Sequence, residues 1–191
     1  MSNISAAQVK ELRQKTGLGL MDCKKALEDA EGNMDKAIEE LRKTSGVKAS
    51  KKSGRSAADG LIAIKNIDDQ IFMIEVNCET DFVARDDSFV EFTSQTLKSF
   101  TENPEKTLQE LMDDGIEDNR EKIVQKLGEN IVVRRVAKTE SSTITGSYLH
   151  SNNKIGCIVS LEGGSHDLAI DIAMHAAATD PLAVSPADIP V

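Results

Sequence analysis

The side chain best equipped for covalent chemistry is Cys78, at the head of the stretch NCETDFVARDD (residues 77–87), with His150 as the base a thiol would need. A cysteine attacks as its thiolate, which forms near neutral pH only with help from a nearby cation or a comparable field. Cys78 closes an apolar run with no basic residue near it, so the sequence does not support that chemistry. Cys23, Cys78 and Cys157 are odd in number, widely spaced and outside any Cys-x-x-Cys or Cys/His cluster. Neither a disulfide frame nor a zinc site is signalled, and reduced, mostly buried thiols in a cytosolic setting are expected. No Ser/His/Asp arrangement, P-loop or glycine-rich phosphate cradle occurs. The expectation from these residues is a protein that is not an enzyme.

The same stretch poses a second question. Phe82 stands among acidic groups and Arg85, in a chain with five Phe, one Tyr and no Trp. Such an aromatic is either a core residue or a contact to another molecule, and its polar neighbours favour contact. The net charge of −9 argues against nucleic acid as the main partner, because counterion release needs a basic surface. Another protein is the expected partner. The N-terminus lacks an apolar signal core and no apolar run is long enough to span a bilayer, so a soluble cytoplasmic protein without membrane contact is expected.

The elements that must position these residues are legible in outline. Residues 1–45 read as a three-helix bundle. Val9 and Leu12 share a face; Gly17 and Gly19 break the first helix; Asp22 is the expected cap of the second, where Ala26, Leu27 and Ala30 fall at helical spacing. Asn33 caps a third with Met34, Ala37, Ile38 and Leu41 on one face. Residues 46–59, carrying Lys48, Lys51, Lys52 and Arg55, read as a basic linker with partial helical character. Residues 60–140 form a first core subdomain. Two β-rich runs, 61–67 and 71–77, flank a turn at Asp68–Asp69, and the second run is apolar on both faces, hence central in a sheet. Ser88 and Glu91 stand at capping-box spacing before a helix whose Phe89, Phe92, Leu97 and Phe100 make a core stripe. Residues 108–128 continue helically to Gly128, and ENIVVRRVAKTE is a further strand.

Residues 141–191 begin a second subdomain that repeats the first. GSYLHSNNKIGCIVSLEGG resembles GLIAIKNIDDQIFMIEVNC, with Gly146 matching Gly60, and a helix follows each copy. The predicted class is α+β, a helical bundle followed by a duplicated antiparallel-sheet-plus-helix core whose second copy is incomplete. The first copy carries ETDFVARDD where the second has only EGGSHD. An insertion the scaffold does not need is where function tends to sit.

Two segments, LRQKTGLGLMDCKKAL (residues 12–27) and EVNCETDFVAR (residues 75–85), resemble the two signature segments of translation elongation factor Ts. LGENIVVRR (residues 127–135) and GSYLH (residues 146–150) resemble further family segments in the family order, so the similarity covers nearly the whole chain. The resemblance implies a nucleotide exchange factor for the GTPase elongation factor Tu, bound in its GDP-loaded and nucleotide-free states, with no cofactor or metal of its own and no covalent chemistry. It implies a bundle similar to a ubiquitin-associated domain that docks on the GTPase, and a TDFV loop whose tip enters near the magnesium site. Family members with both halves of the repeat continue into a helical hairpin and a C-terminal module.

Carried over by position, Asp81 and Phe82, flanked by Thr80 and Val83, are the expected exchange loop. Leu12, Leu20 and Met21 are the expected docking residues of the bundle; Leu127, Gly128 and His150 match positions near the contact surface. Leu12 has a core reading beside the contact one, and His150 has a structural reading as a strand residue. The rival to exchange is a plain protein-binding module in which Phe82 is dispensable.

Overall fold

The computed structural model describes residues 4–140 and 144–189. The chain forms two compact units, each assembled from separated segments. The first comprises Met1–Asp59, Asn77–Phe92 and Gln109–Val132; the second comprises Gly60–Val76, Thr93–Leu108 and Val133–Val191.

The first unit opens with α1 (Ala6–Thr16), α2 (Leu20–Asp29) and α3 (Met34–Lys52). Ser5 and Gln8 make a reciprocal capping box at the start of α1, and Gly17 ends it at φ 70°, a conformation that costs glycine little. Val9, Leu12, Leu18, Cys23, Leu27, Ala37 and Leu41 form the bundle core, with Ile4, Met34 and Ile38 packed at its edge. Asn33 caps α3 by accepting from the Lys36 N–H at 3.0 Å, as the sequence predicts. Asp22 does not cap α2. The cap position is Gly19 and Asp22 lies in the first turn, where its charge suits the helix dipole and its carboxylate takes Lys48 Nζ at 3.0 Å.

The expected linker 46–59 differs most from its sequence reading, because α3 runs on to Lys52. Leu41, Ser45 and Ala49 are spaced four apart and all buried, so one stripe of small side chains carries the helix past the bundle. That stripe packs along α7 (Glu117–Leu127), where the Ser45 hydroxyl donates to Leu41 O and lies against the Gln125 side-chain amide. A stripe of Ser and Ala carries no hydropathy signal, which is why the stretch reads as linker.

The second unit holds β1 (Asp59–Ile67) and β2 (Gln70–Cys78), a hairpin whose turn places Asp68 at φ 49°, with β3 (Val132–Lys138) on the other side of β2. β2 is central, as its two-faced apolar pattern predicts, with Ile71, Phe72, Ile74 and Val76 buried. α5 (Asp87–Glu102), followed by the one-turn α6 (Leu108–Leu111), supplies Phe100, which meets the Phe72 ring edge-on with centroids 5.4 Å apart. The repeat is real: β4 (Ile144–Leu149) and β5 (Gly156–Leu161) pair antiparallel in register Ile144↔Leu161 to Leu149↔Gly156, and α8 (His166–Thr179) packs on both. Gly146 lets the helix lie against β4 at backbone distance, over the buried Ala169 and Ala173.

Candidate partner-binding site

β2 ends at Cys78, and the chain then turns sharply into a four-residue helix, α4 (Asp81–Ala84). Thr80 makes the turn: extended at φ −129°, ψ 157°, it accepts the Val83 N–H on its hydroxyl at 3.5 Å. Val83 and Ala84 point inward and are buried, which leaves Phe82 on the opposite side, 81% exposed. Asp81 and Arg85 pair at 2.9 Å along the helix, both partly in solvent. The chain re-enters helix through Asp86, whose carboxylate takes the Ser88 N–H at 2.8 Å. The Ser88/Glu91 capping box expected from spacing is thus replaced by Asp86 as the cap, two residues earlier.

Beneath this turn lies a crossed pair of carboxylates. Glu129 Oε2 accepts the Glu79 and Thr80 N–H groups, each at 3.0 Å, and Oε1 accepts the Thr80 hydroxyl at 2.6 Å. In return Glu79 Oε1 accepts the Asn130 N–H at 2.6 Å and Arg55 Nη1 at 3.4 Å. Asn130 Nδ2 donates to Arg55 O at 2.8 Å and Ser53 O at 3.4 Å, and Lys52 Nζ donates to Gly128 O at 2.6 Å. The C-terminal end of α3, the 128–130 turn after α7 and the root of α4 are therefore one hydrogen-bonded knot.

The Asn130 N–H bond holds the Glu79 carboxyl below its ordinary value, burial opposes this, and Arg55 and Lys52 add to the lowering. Its contribution to stability is complete above the ordinary glutamate value of about 4.3 and is lost as pH falls through the lowered folded value. Thermal unfolding of the wild type and of Glu79→Gln should accordingly differ at pH 7. The two should converge as pH falls below about 4. A gap that widens on acidification would contradict the assignment.

The sequence-predicted residues separate into groups. Thr80, Asp81, Phe82 and Val83 lie on one turn, with Val83 serving as its anchor. Leu20 and Met21, 53% and 71% exposed on the first turn of α2, present apolar surface. Leu12 is fully buried; as a side chain of the bundle core it has no surface to offer, so its contact reading is corrected. Leu127 is half-buried at the end of α7 and Gly128 caps it at φ 81°. His150 lies exposed in the second unit, just past β4 rather than within a strand, with Nδ1 2.9 Å from Tyr148 Oη. Cys78 is buried and donates its thiol to Thr80 O at 3.2 Å, a structural role for the residue best placed for covalent chemistry. Sequence reasoning misses Glu79, Glu129 and Asn130 and names Arg55 only as part of a basic run; the one signal for Glu129 and Asn130 is that they follow the glycine stop at Gly128.

This geometry places one apolar side chain, Phe82, on the solvent side of a turn held by hydrogen bonds. The family described as "Elongation factor TS" matches residues 79–191. Over 192 residues the chain is 54% identical to elongation factor Ts of Marinobacter nauticus, covering all of this chain and 66% of that relative. It is 51% identical over 191 residues to that of Hahella chejuensis, covering 99% and 66%, and 46% identical over 198 residues to that of Arthrospira platensis, covering 100% and 80%. The chain belongs to the elongation factor Ts family, a family of translation elongation factors. It spans 66% of the length of the first two relatives. Among the described residues no helix is long and apolar enough to cross a membrane.

Proposed function

We propose that the chain is a cytoplasmic guanine nucleotide exchange factor, which binds elongation factor Tu and promotes GDP release without covalent chemistry. The carrying observation is Phe82, 81% exposed on a turn whose Val83 and Ala84 are buried. A bound GDP is held by Mg²⁺ and by backbone N–H groups around its phosphates. A rigid apolar wedge that parts the elements carrying those groups lowers nucleotide affinity, and Asp81 beside it repels phosphate. By linkage the factor then binds the nucleotide-free GTPase better than the loaded one. Each tenfold of that preference needs about 1.4 kcal/mol.

Leu20 and Met21 supply the docking surface of the bundle, with Leu12 as the core beneath them. Leu127, Gly128 and His150 belong to the rim of the contact. The test is release of a fluorescent GDP from elongation factor Tu with and without the chain, alongside a direct binding measurement. Acceleration supports exchange. Binding without acceleration would leave only a docking module, and no binding would end the reading.

A further inference from the structure

Phe82 can act as a wedge only if its mount resists the load, and α4 is too short to be rigid by itself. Four residues close barely one helical turn, and such a piece is held by what surrounds it. The inner face of α4 supplies one fixed point through Val83 and Ala84. The other is the root, where the chain leaves β2, and there both consecutive backbone N–H groups and the Thr80 hydroxyl end on a single carboxylate, Glu129.

We infer that Glu129 is the positioning residue of the exchange loop: it sets the direction in which α4 and Phe82 leave the end of β2. This rests on the exchange reading above. Three features make the assignment specific. The Thr80 hydroxyl spends its one proton on Glu129 and accepts from Val83 N–H, so the bond to Glu129 also orients the cap of α4. An ionised acceptor makes bonds roughly twice as strong as a neutral one, and only a carboxylate can accept at both oxygens. Glu129 is itself held, because its neighbours bond to α3: Gly128 O takes Lys52, and Asn130 binds Ser53 O and Arg55 O. The mount of the wedge is thus fastened to the long helix of the docking bundle.

The experiment compares the full chain with Glu129→Ala and Glu129→Gln. Gln keeps the shape and one accepting oxygen; Ala keeps neither. Maximal GDP release at saturating factor should fall at least about tenfold in the Ala variant, the loss of one charged hydrogen bond's worth. Affinity for nucleotide-free elongation factor Tu should change by less than about threefold, and Gln should recover part of the rate. Amide hydrogen exchange of the free variants should show faster exchange at Glu79 and Thr80 in the Ala form, with the bundle amides unchanged. A Glu129→Ala chain that matches an active wild type in rate, or loses binding and rate equally, overturns the inference. So does unaltered protection at Glu79 and Thr80. A wild type that fails to accelerate release defeats the exchange reading instead, and the hydrogen-exchange comparison still reports on the mount.

Discussion

Replacing Phe82 by alanine is expected to remove most of the acceleration of GDP release while leaving the fold untouched. The ring is 81% exposed, so its removal costs the isolated protein almost nothing, within about 0.5 kcal/mol. In the proposed complex the same ring is an aromatic anchor, and truncation of such a residue costs about 2 kcal/mol or more, roughly thirtyfold in rate if the contact is tightest in the nucleotide-free state. Thermal unfolding and GDP release measured on one preparation separate the two effects. A variant that unfolds earlier would make Phe82 a packing residue, and a variant as active as wild type would favour the plain binding module. Phe82→Leu keeps an apolar wedge of smaller width and should fall between the two. The wedge is apolar and the Asp81–Arg85 pair is exposed, so raising salt should weaken association only modestly. A steep loss would place the energy in charges such as Lys24, Arg85 or Arg134.

Gly146→Ala should be the most damaging conservative change in the second unit, destabilising it by about 3 kcal/mol, the upper end for overpacking. A methyl group built at Gly146 would lie 2.3 Å from the Ala169 carbonyl carbon and 2.5 Å from the Ile170 nitrogen. Both are backbone atoms of α8, so no rotamer change can relieve the clash. The conformation of Gly146 is not the cause, since it is not among the positive-φ glycines such as Gly17 and Gly128. The cost is purely one of space. Urea unfolding followed by circular dichroism, with Tyr148 as the local fluorophore on the same strand, measures it. Adding Ala169→Gly removes only the contact with the Ala169 Cβ at 2.7 Å and should restore little. Full rescue by that second change would show that the side chain, not the helix backbone, sets the spacing.

Elements with period and punctuation could be read directly. The bundle helices carry apolar faces between Gly stops; the central position of β2 follows from its two-faced run, and the second strand–strand–helix unit was visible as a repeat. The aromatic chemistry of the loop was also legible, because Phe82 sits among charges with nothing apolar beside it but Val83 and Ala84. What escaped depends on residues far apart in sequence. The continuation of α3 rests on Ser45 and Ala49, which are small enough to meet α7 but carry no periodic hydrophobic signal. The role of Glu129 rests on bonds to residues 49 and 50 positions earlier, and a lone glutamate after a helix stop looks like any solvated charge. Leu12 failed as a contact for the converse reason: its pattern fits a core and a surface stripe equally, and only packing chooses.

The knot under α4 also has a history in time. Its parts are made in the order α3, β2 root, α4, then Glu129, and Lys52 and Gly128 are 76 residues apart. At translation rates of 5–20 residues per second, roughly 2–10 s separate the synthesis of Thr80 from that of Glu129. The bundle core, whose contacts are local, can close well before that. During the interval β2 and α4, with Phe82, exist without the carboxylate that ties their junction. A nascent chain is therefore fastened late at this point: its bundle can fold before the junction that carries Phe82 is tied down.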